Sequence, residues 1–143
     1  MLKVLIADDE EKICQLIIKP INWEEMGLKI AATASNGIEA LEQAKICKPE
    51  ILITDIRMPG IDGMELIRKV KEKLPDTEII IISGYRHFEY AQTAIRYGVR
   101  NYLLKPIKKE ELRDTLQKIA DIYREKNEQL NFEERVRLAL KND

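Results

Sequence analysis

This chain is poor in the residues that staple small folds, bind soft metals or span membranes. Of its 143 residues, two are cysteine, one is histidine and one is tryptophan. Cys14 and Cys47 form no CxxC pair and no Cys/His cluster, so nothing points to a disulfide framework or a zinc site. Both fall in stretches that read as helix and are expected as reduced thiols lining the core. No apolar run approaches the ~20 residues of a membrane span. The opening MLKVLIADDE turns acidic too soon for a signal peptide, so a cytoplasmic location is expected. Charge of one sign is missing too: 24 basic residues face 25 acidic ones, for a formal net charge of −1. No general basic field advertises nucleic acid or an anionic membrane, and any binding is local. Internal repeats and low-complexity segments are absent.

What is present is a regular alternation. Short β-branched runs are expected as strands at Lys3–Ala7, Lys29–Ala34, Ile51–Thr54, Glu78–Ser83 and Asn101–Leu104. Helices are expected between and after them. The first carries Ile13, Leu16 and Ile17 inward and stops near Pro20. The second, Ile38–Cys47 behind a Ser35-Asn36-Gly37 turn or cap, buries Ile38, Leu41 and Ala44. The third follows Asp62-Gly63 with Ile67, Val70 and Leu74 on one face. The fourth has Phe88, Ala91 and Ile95 inward and ends at Gly98, and the fifth runs from Lys109 to about Lys126 along Leu112, Leu116, Ile119 and Tyr123. Trp23, in the connector 21–28, is expected against the core. Five alternations of strand and helix in 143 residues argue for one α/β domain, a doubly wound parallel sheet with helices on both faces.

The strand ends are the informative part. Asp8 and Asp9 follow the first strand, Asp55 the third, Ser83 closes the fourth and Lys105 follows the fifth. In an open parallel sheet, ligands gather outside the carboxyl ends of the strands, so these groups should converge. Glu10 and Glu11 are read as acids favoured by a helix N-terminus. Two carboxylates about 4 Å apart repel by roughly 4 kcal/mol at an effective dielectric near 20, so the cluster needs a counter-ion or raised pKa values. A few oxygen ligands with room for water and a phosphate oxygen suit Mg²⁺ better than zinc or a full calcium cage. With such a cation, one carboxylate can attack phosphorus while a lysine neutralises charge on the transferred oxygens. Each residue also has a plainer reading. Lys105 is an exposed strand-end lysine, Ser83 a helix cap, Tyr102 ordinary core or surface cover, and His87 a surface or capping residue.

As an ordered set, Asp8-Asp9, the ITDIRMPGIDG run from Ile53 to Gly63, Ser83-Gly84 and the Tyr-Leu-Leu-Lys-Pro run from Tyr102 to Pro106 resemble the receiver domains of two-component response regulators. The connector Ile21–Leu28, with Ser83-Gly84-Tyr85 and Phe88-Glu89-Tyr90-Ala91, further resembles the receivers of YesN-like regulators that carry an AraC-type DNA-binding domain. The resemblance covers residues 1–126. It implies a flavodoxin-like five-stranded sheet in the order 2-1-3-4-5, and a phosphoacceptor that is not an enzyme in the ordinary sense. Asp55 would take the phosphoryl group from a sensor histidine kinase. Mg²⁺ would be held by Asp9, Asp55 and the main-chain carbonyl of Arg57, with Asp8 acting through water. Ser83 and Lys105 would read the phosphoryl group, Tyr102 would be the aromatic switch, and the Lys105–Pro106 bond would be cis. Arg57 and Tyr85, bulky and two positions beyond Asp55 and Ser83, are expected to hinder attacking water and lengthen the life of the phosphoaspartate.

The output is expected on the face of the fourth helix, fifth strand and fifth helix, with homodimerisation as one use of it. Residues 127–143 read as a linker or helical tail, with Asn131 and Glu134 as a helix-start pair and Phe132, Val136 and Leu140 in helical register. No helix-turn-helix follows, so DNA binding would belong to an effector domain outside this chain. Competing readings fare worse on the residues. A flavin carrier needs a hydroxyl- and glycine-rich phosphate loop where Asp8–Glu11 stand, a calcium loop needs alternating ligands that 55–59 lack, and a haloacid-dehalogenase-like phosphatase wants an acid where Arg57 stands. The alternative that survives is a receiver-shaped interaction module that works without phosphorylation.

Overall fold

The structure, a computed structural model, describes residues 1–84 and 88–141. Its elements in chain order are β1 (Leu2–Ala7), α1 (Glu11–Ile18), β2 (Leu28–Ala34), α2 (Gly37–Cys47), β3 (Ile51–Thr54), α3 (Gly63–Lys73), β4 (Glu78–Ser83), α4 (Phe88–Arg96), β5 (Asn101–Leu104) and α5 (Lys109–Lys141). The five strands form one parallel sheet in the order β2-β1-β3-β4-β5. The doubly wound sheet expected from the alternation, and the order implied by the resemblance, are both found.

Burial explains the strands. β3 and β4 are buried along their whole length, as continuous apolar runs covered on both faces should be. The four isoleucines of β4 are each at most 1 % exposed, and each contributes about 1.5–3 kcal/mol through removal from water. The edge strands β2 and β5 are only partly covered. On one face of the sheet, α1 and α5 bury Cys14, Ile17, Leu112, Leu116 and Ile119. On the other, α2, α3 and α4 bury Ala40, Ala44, Leu66, Ile67, Val70 and Ala94. Trp23 packs with the first group, and its indole N–H donates to the Ile18 carbonyl at 2.9 Å.

Several inward positions expected from the sequence are not inward. Leu16, Ile38 and Ile95 are exposed; Cys14, Ile17 and Ala44 are buried as expected, and Ala40 and Ala94 are buried with them. Small residues let α2 lie close to β1 and β2, which a count of large apolar residues does not register. Cys14 is buried, whereas Cys47 is only partly so, and both are free. The Phe88 side chain, with Tyr85, Arg86 and His87, lies outside the described residues. The fifth helix does not stop near Lys126. It continues unbroken to Lys141, and Asn131 and Glu134 begin no separate helix.

The starts of α2 and α3 are set by side-chain caps. Asn36 accepts from the Glu39 amide at 2.8 Å and Asp62 from the Glu65 amide at 2.9 Å, each satisfying a donor that the helix leaves unpaired. No described helix is long and apolar enough to cross a membrane.

Candidate functional site

Register builds the site. β1 and β3 pair with Ala7 opposite Thr54, so the next residue of each strand, Asp8 and Asp55, emerges side by side at the carboxyl edge. The Asp55 amide donates to the Ala7 carbonyl at 3.0 Å and the Asp8 amide to the Ala34 carbonyl at 3.0 Å, extending both ladders by one bond. On the far side, Ser83 pairs with Leu104 and the Lys105 amide donates to the Ser83 carbonyl at 2.9 Å. The Lys105–Pro106 bond is cis, as the resemblance implied.

The side chains converge from there. Asp8, Asp9 and Asp55 place one carboxylate oxygen each within 4.8 Å of one another, with Asp8 and Asp55 buried and Asp9 exposed. The Lys105 ammonium lies 3.0 Å from Asp55 Oδ2 and 3.3 Å from Asp8 Oδ2. The other oxygen of Asp55 accepts from the Ile56 amide at 2.7 Å, and Oδ1 of Asp8 from the Glu10 amide at 2.9 Å. Each buried acid thus spends one oxygen on the backbone and turns the other toward the lysine. Ser83 is fully buried, and its hydroxyl lies near enough to the partly buried phenol of Tyr102 to influence the phenol's titration.

The electrostatics follow from burial and crowding. Desolvation is the largest influence on Asp8 and pushes its carboxyl above the ordinary range; the Glu10 amide and Lys105 oppose this, and Asp55 reinforces it. For Lys105, burial is again the largest single influence and works against the ammonium. The hydrogen bond and charge of Asp55, then those of Asp8, outweigh it together and hold Lys105 above the usual lysine value. Burial pushes the Tyr102 phenol up, and the nearby Ser83 hydroxyl only partly offsets that.

Glycine holds the backbone behind Asp55. A Cβ on Gly63 would stand 2.1 Å from the Asp55 carbonyl oxygen, and one on Gly37 would stand 1.9 Å from that of Ile61. The first turns of α2 and α3 therefore press on the β3–α3 loop at positions where no side chain fits. These contacts carry no mark in the sequence beyond glycines beside helix starts.

Of the residues singled out from the sequence, Asp8, Asp9, Asp55, Ser83, Lys105 and Tyr102 come together at this edge. Arg57 stands exposed on the loop after β3. Tyr85, expected with Arg57 in a modulating role, lies outside the described residues. Among the described residues, Asp8, Asp9 and Asp55 are the one group of acids, cysteines or histidines able to hold a metal ion. Their oxygen-only set, with one exposed member, fits a small hard cation that keeps several waters.

Comparison with known proteins agrees with this geometry. Residues 4–117 match the family model described as the response regulator receiver domain. The chain is 40% identical over 139 residues to the transcriptional regulatory protein YesN of Bacillus subtilis, itself named as uncharacterized; the match takes in 93% of this chain and 38% of YesN. It is also 40% identical over 107 residues to the transcriptional regulatory protein HptR of Staphylococcus aureus, with 75% of this chain and 42% of HptR covered. The chain thus spans about two-fifths of the length of these relatives. Among solved structures, the receiver domain of AraT, a response regulator from Geobacillus stearothermophilus, matches at a TM-score of 0.84 and 41% identity, over 88% of this chain and 98% of that one. A two-component transcriptional regulator AraC from Clostridium phytofermentans matches at 0.78 and 36%, over 85% and 94%. A matched span of that extent, on a sheet whose carboxyl edge gathers three acids and a lysine, makes this chain a member of the response regulator receiver domain family.

Proposed function

We propose that this domain receives a phosphoryl group on Asp55 from the phosphohistidine of a sensor kinase, in a step that depends on Mg²⁺, and that the modified state controls transcription through an effector domain in a longer chain. The observation that carries the reading is the position of Asp55 Oδ2, 3.0 Å from the Lys105 ammonium and beside the acids of β1. Mg²⁺ would be held by Asp9, Asp55 and the Arg57 carbonyl, with Asp8 reaching it through water. When bound, it offsets the charge of the carboxylates and of the phosphoryl oxygens.

The remaining work belongs to the chain. Asp55 Oδ2 forms the new O–P bond as the P–N bond to the imidazole breaks, and the departing imidazole keeps the electron pair and takes up a proton. The Ile56 amide holds the other Asp55 oxygen and fixes the direction of attack. Lys105, already against Oδ2, lies where the incoming phosphoryl oxygens gain charge, and a preformed cation of this kind needs no reorganisation during transfer. Ser83 offers a hydroxyl to the phosphoryl group, and in turning toward it leaves the neighbourhood of the Tyr102 phenol. That movement gives the phenol room to follow and links the site to β5. Arg57 and Tyr85, bulky and two positions beyond Asp55 and Ser83 in the chain, slow hydrolysis of the phosphoaspartate.

The YesN and HptR names support transcription as the output. Homodimerisation through the face of α4, β5 and α5 is one way to deliver it. Beryllofluoride, a phosphoryl mimic, tests the reading: a tight fluorine NMR signal is expected with Mg²⁺ and lost in Asp55→Asn or on chelation. Absence of an adduct in the native chain would favour the phosphorylation-independent module.

A further inference from the structure

Beyond the receiver core, α5 runs on without a sheet beneath it: every residue from Arg124 to Lys141 is exposed. Phe132, Val136 and Leu140 remain 64%, 42% and 69% exposed. Spaced four apart, they fall within an arc of roughly 80° on the helix surface. Leu130 lies on a different line, continuing that of Leu112, Leu116, Ile119 and Tyr123. An apolar stripe on a helix held out in water is a surface awaiting a partner.

The charges around the stripe say which partner. From Glu125 to Glu134 the acids Glu125, Glu128, Glu133 and Glu134 face one base, Lys126; from Arg135 to Lys141 stand Arg135, Arg137 and Lys141 with no acid. The two ends of this short segment are therefore complementary to each other, and opposite in sign. Glu128 and Arg135 flank the stripe on one side, Glu133 and Arg137 on the other. We infer that residues 125–141 pair with the same segment of a second copy in antiparallel orientation. Val136 then meets its counterpart at the dyad, and Phe132 packs against the partner's Leu140. Glu133 lies beside the partner's Arg137, and the reverse pair repeats the contact. A parallel, in-register pair would instead bring Glu128 against the partner's Glu133, since flanking positions five apart meet across a parallel coil.

The contact is small. Three large apolar side chains from each helix cover less than the ~1,200 Å² of a standard interface, so association alone is weaker than micromolar. A second contact between the same two chains would raise the local concentration of the tails and strengthen it.

Disulfide trapping on the 143-residue chain tests both the pairing and its direction. Phe132→Cys and Leu140→Cys variants are oxidised separately and as an equimolar mixture at roughly 100 µM, a concentration set by the weak contact, and the linked peptides are mapped by mass. The mixture is expected to give several-fold more 132–140 cross-link than either variant gives of its own self-linked dimer. Adding Val136→Asp to both variants should remove that excess. Equal self-linking of each variant would mean a parallel pair, and no cross-link above the Val136→Asp background would mean no pairing; either result overturns the inference.

Discussion

The Lys105 ammonium and the Asp55 carboxylate stand 3.0 Å apart although fifty residues separate them in the chain, and Asp8 lies 3.3 Å from the same ammonium. One cation therefore serves two buried acids. Replacing Lys105 with methionine keeps much of the stem but leaves Asp8 and Asp55 facing each other without it. In metal-free buffer Lys105→Met is expected to cost about 1–3 kcal/mol by urea denaturation, the range for breaking a partly buried charged bond. The contribution of Lys105 has a definite pH limit. Its folded-state pKa lies above the ordinary lysine value of 10.5, so the stability it adds is complete below that value and is lost as pH rises through the higher folded one.

Removing an acid should do the opposite. Asp8 and Asp55 share one lysine, with the Asp9 carboxylate close by, so Asp8→Asn is expected to stabilise the metal-free protein by about 1 kcal/mol, or roughly 3–5 °C in Tm. The sign of its pH dependence follows from the raised Asp8 pKa. Between the unfolded value of 3.8 and the higher folded value, the folded state holds a proton that the unfolded state has released, so the native contribution of Asp8 declines as pH rises. The advantage of Asp8→Asn over the native chain should be small near pH 4 and larger at pH 7. Denaturation curves at the two values check this, and added Mg²⁺ should stabilise the native chain more than the variant.

Gly63 should tolerate no side chain. A Cβ there would meet the Asp55 carbonyl oxygen at 2.1 Å, and backbone cannot swing aside as a long side chain can. Gly63→Ala is expected to cost about 1–3 kcal/mol. It should also reduce beryllofluoride affinity by displacing Asp55, a loss that stability alone would not produce.

At the opposite end of the sheet, the Tyr123 hydroxyl donates to the Glu50 carbonyl at 3.2 Å and also to the Asp76 carbonyl, tying α5 to the entrances of β3 and β4. Burial first, then Glu78, Glu50 and Asp76, push the phenol up to about 12. Tyr123→Phe should cost about 1 kcal/mol. Absorbance titration should show the native Tyr123 still protonated where ordinary tyrosines have ionised.

The sheet and its acidic edge were legible because strands built from β-branched runs end at punctuation that chemistry needs: Asp8, Asp55, Ser83 and Lys105 each stand where an apolar run stops. Parallel pairing then leaves little freedom in where those ends go. The inward faces of helices were less legible, since Leu16, Ile38 and Ile95 outweigh Ala40 and Ala94 in any hydrophobic pattern, yet the smaller residues are the buried ones. Nor did the pattern show where α5 would end. Asn131 and Glu134 resemble a start signal, but no glycine or proline interrupts 109–141, and a helix without a breaker continues. The approach of Ser83 to Tyr102 and the packing of Gly63 on Asp55 depend on how neighbouring elements sit together across the sheet, which no spacing encodes.

The central claim is that Asp55 is the phosphoacceptor, and intact mass after incubation with acetyl phosphate and Mg²⁺ tests it most directly. A gain of one phosphoryl group in the native chain, absent from Asp55→Asn and abolished by chelation, is the expected result. No gain in the native chain, or an equal gain in Asp55→Asn, would contradict it.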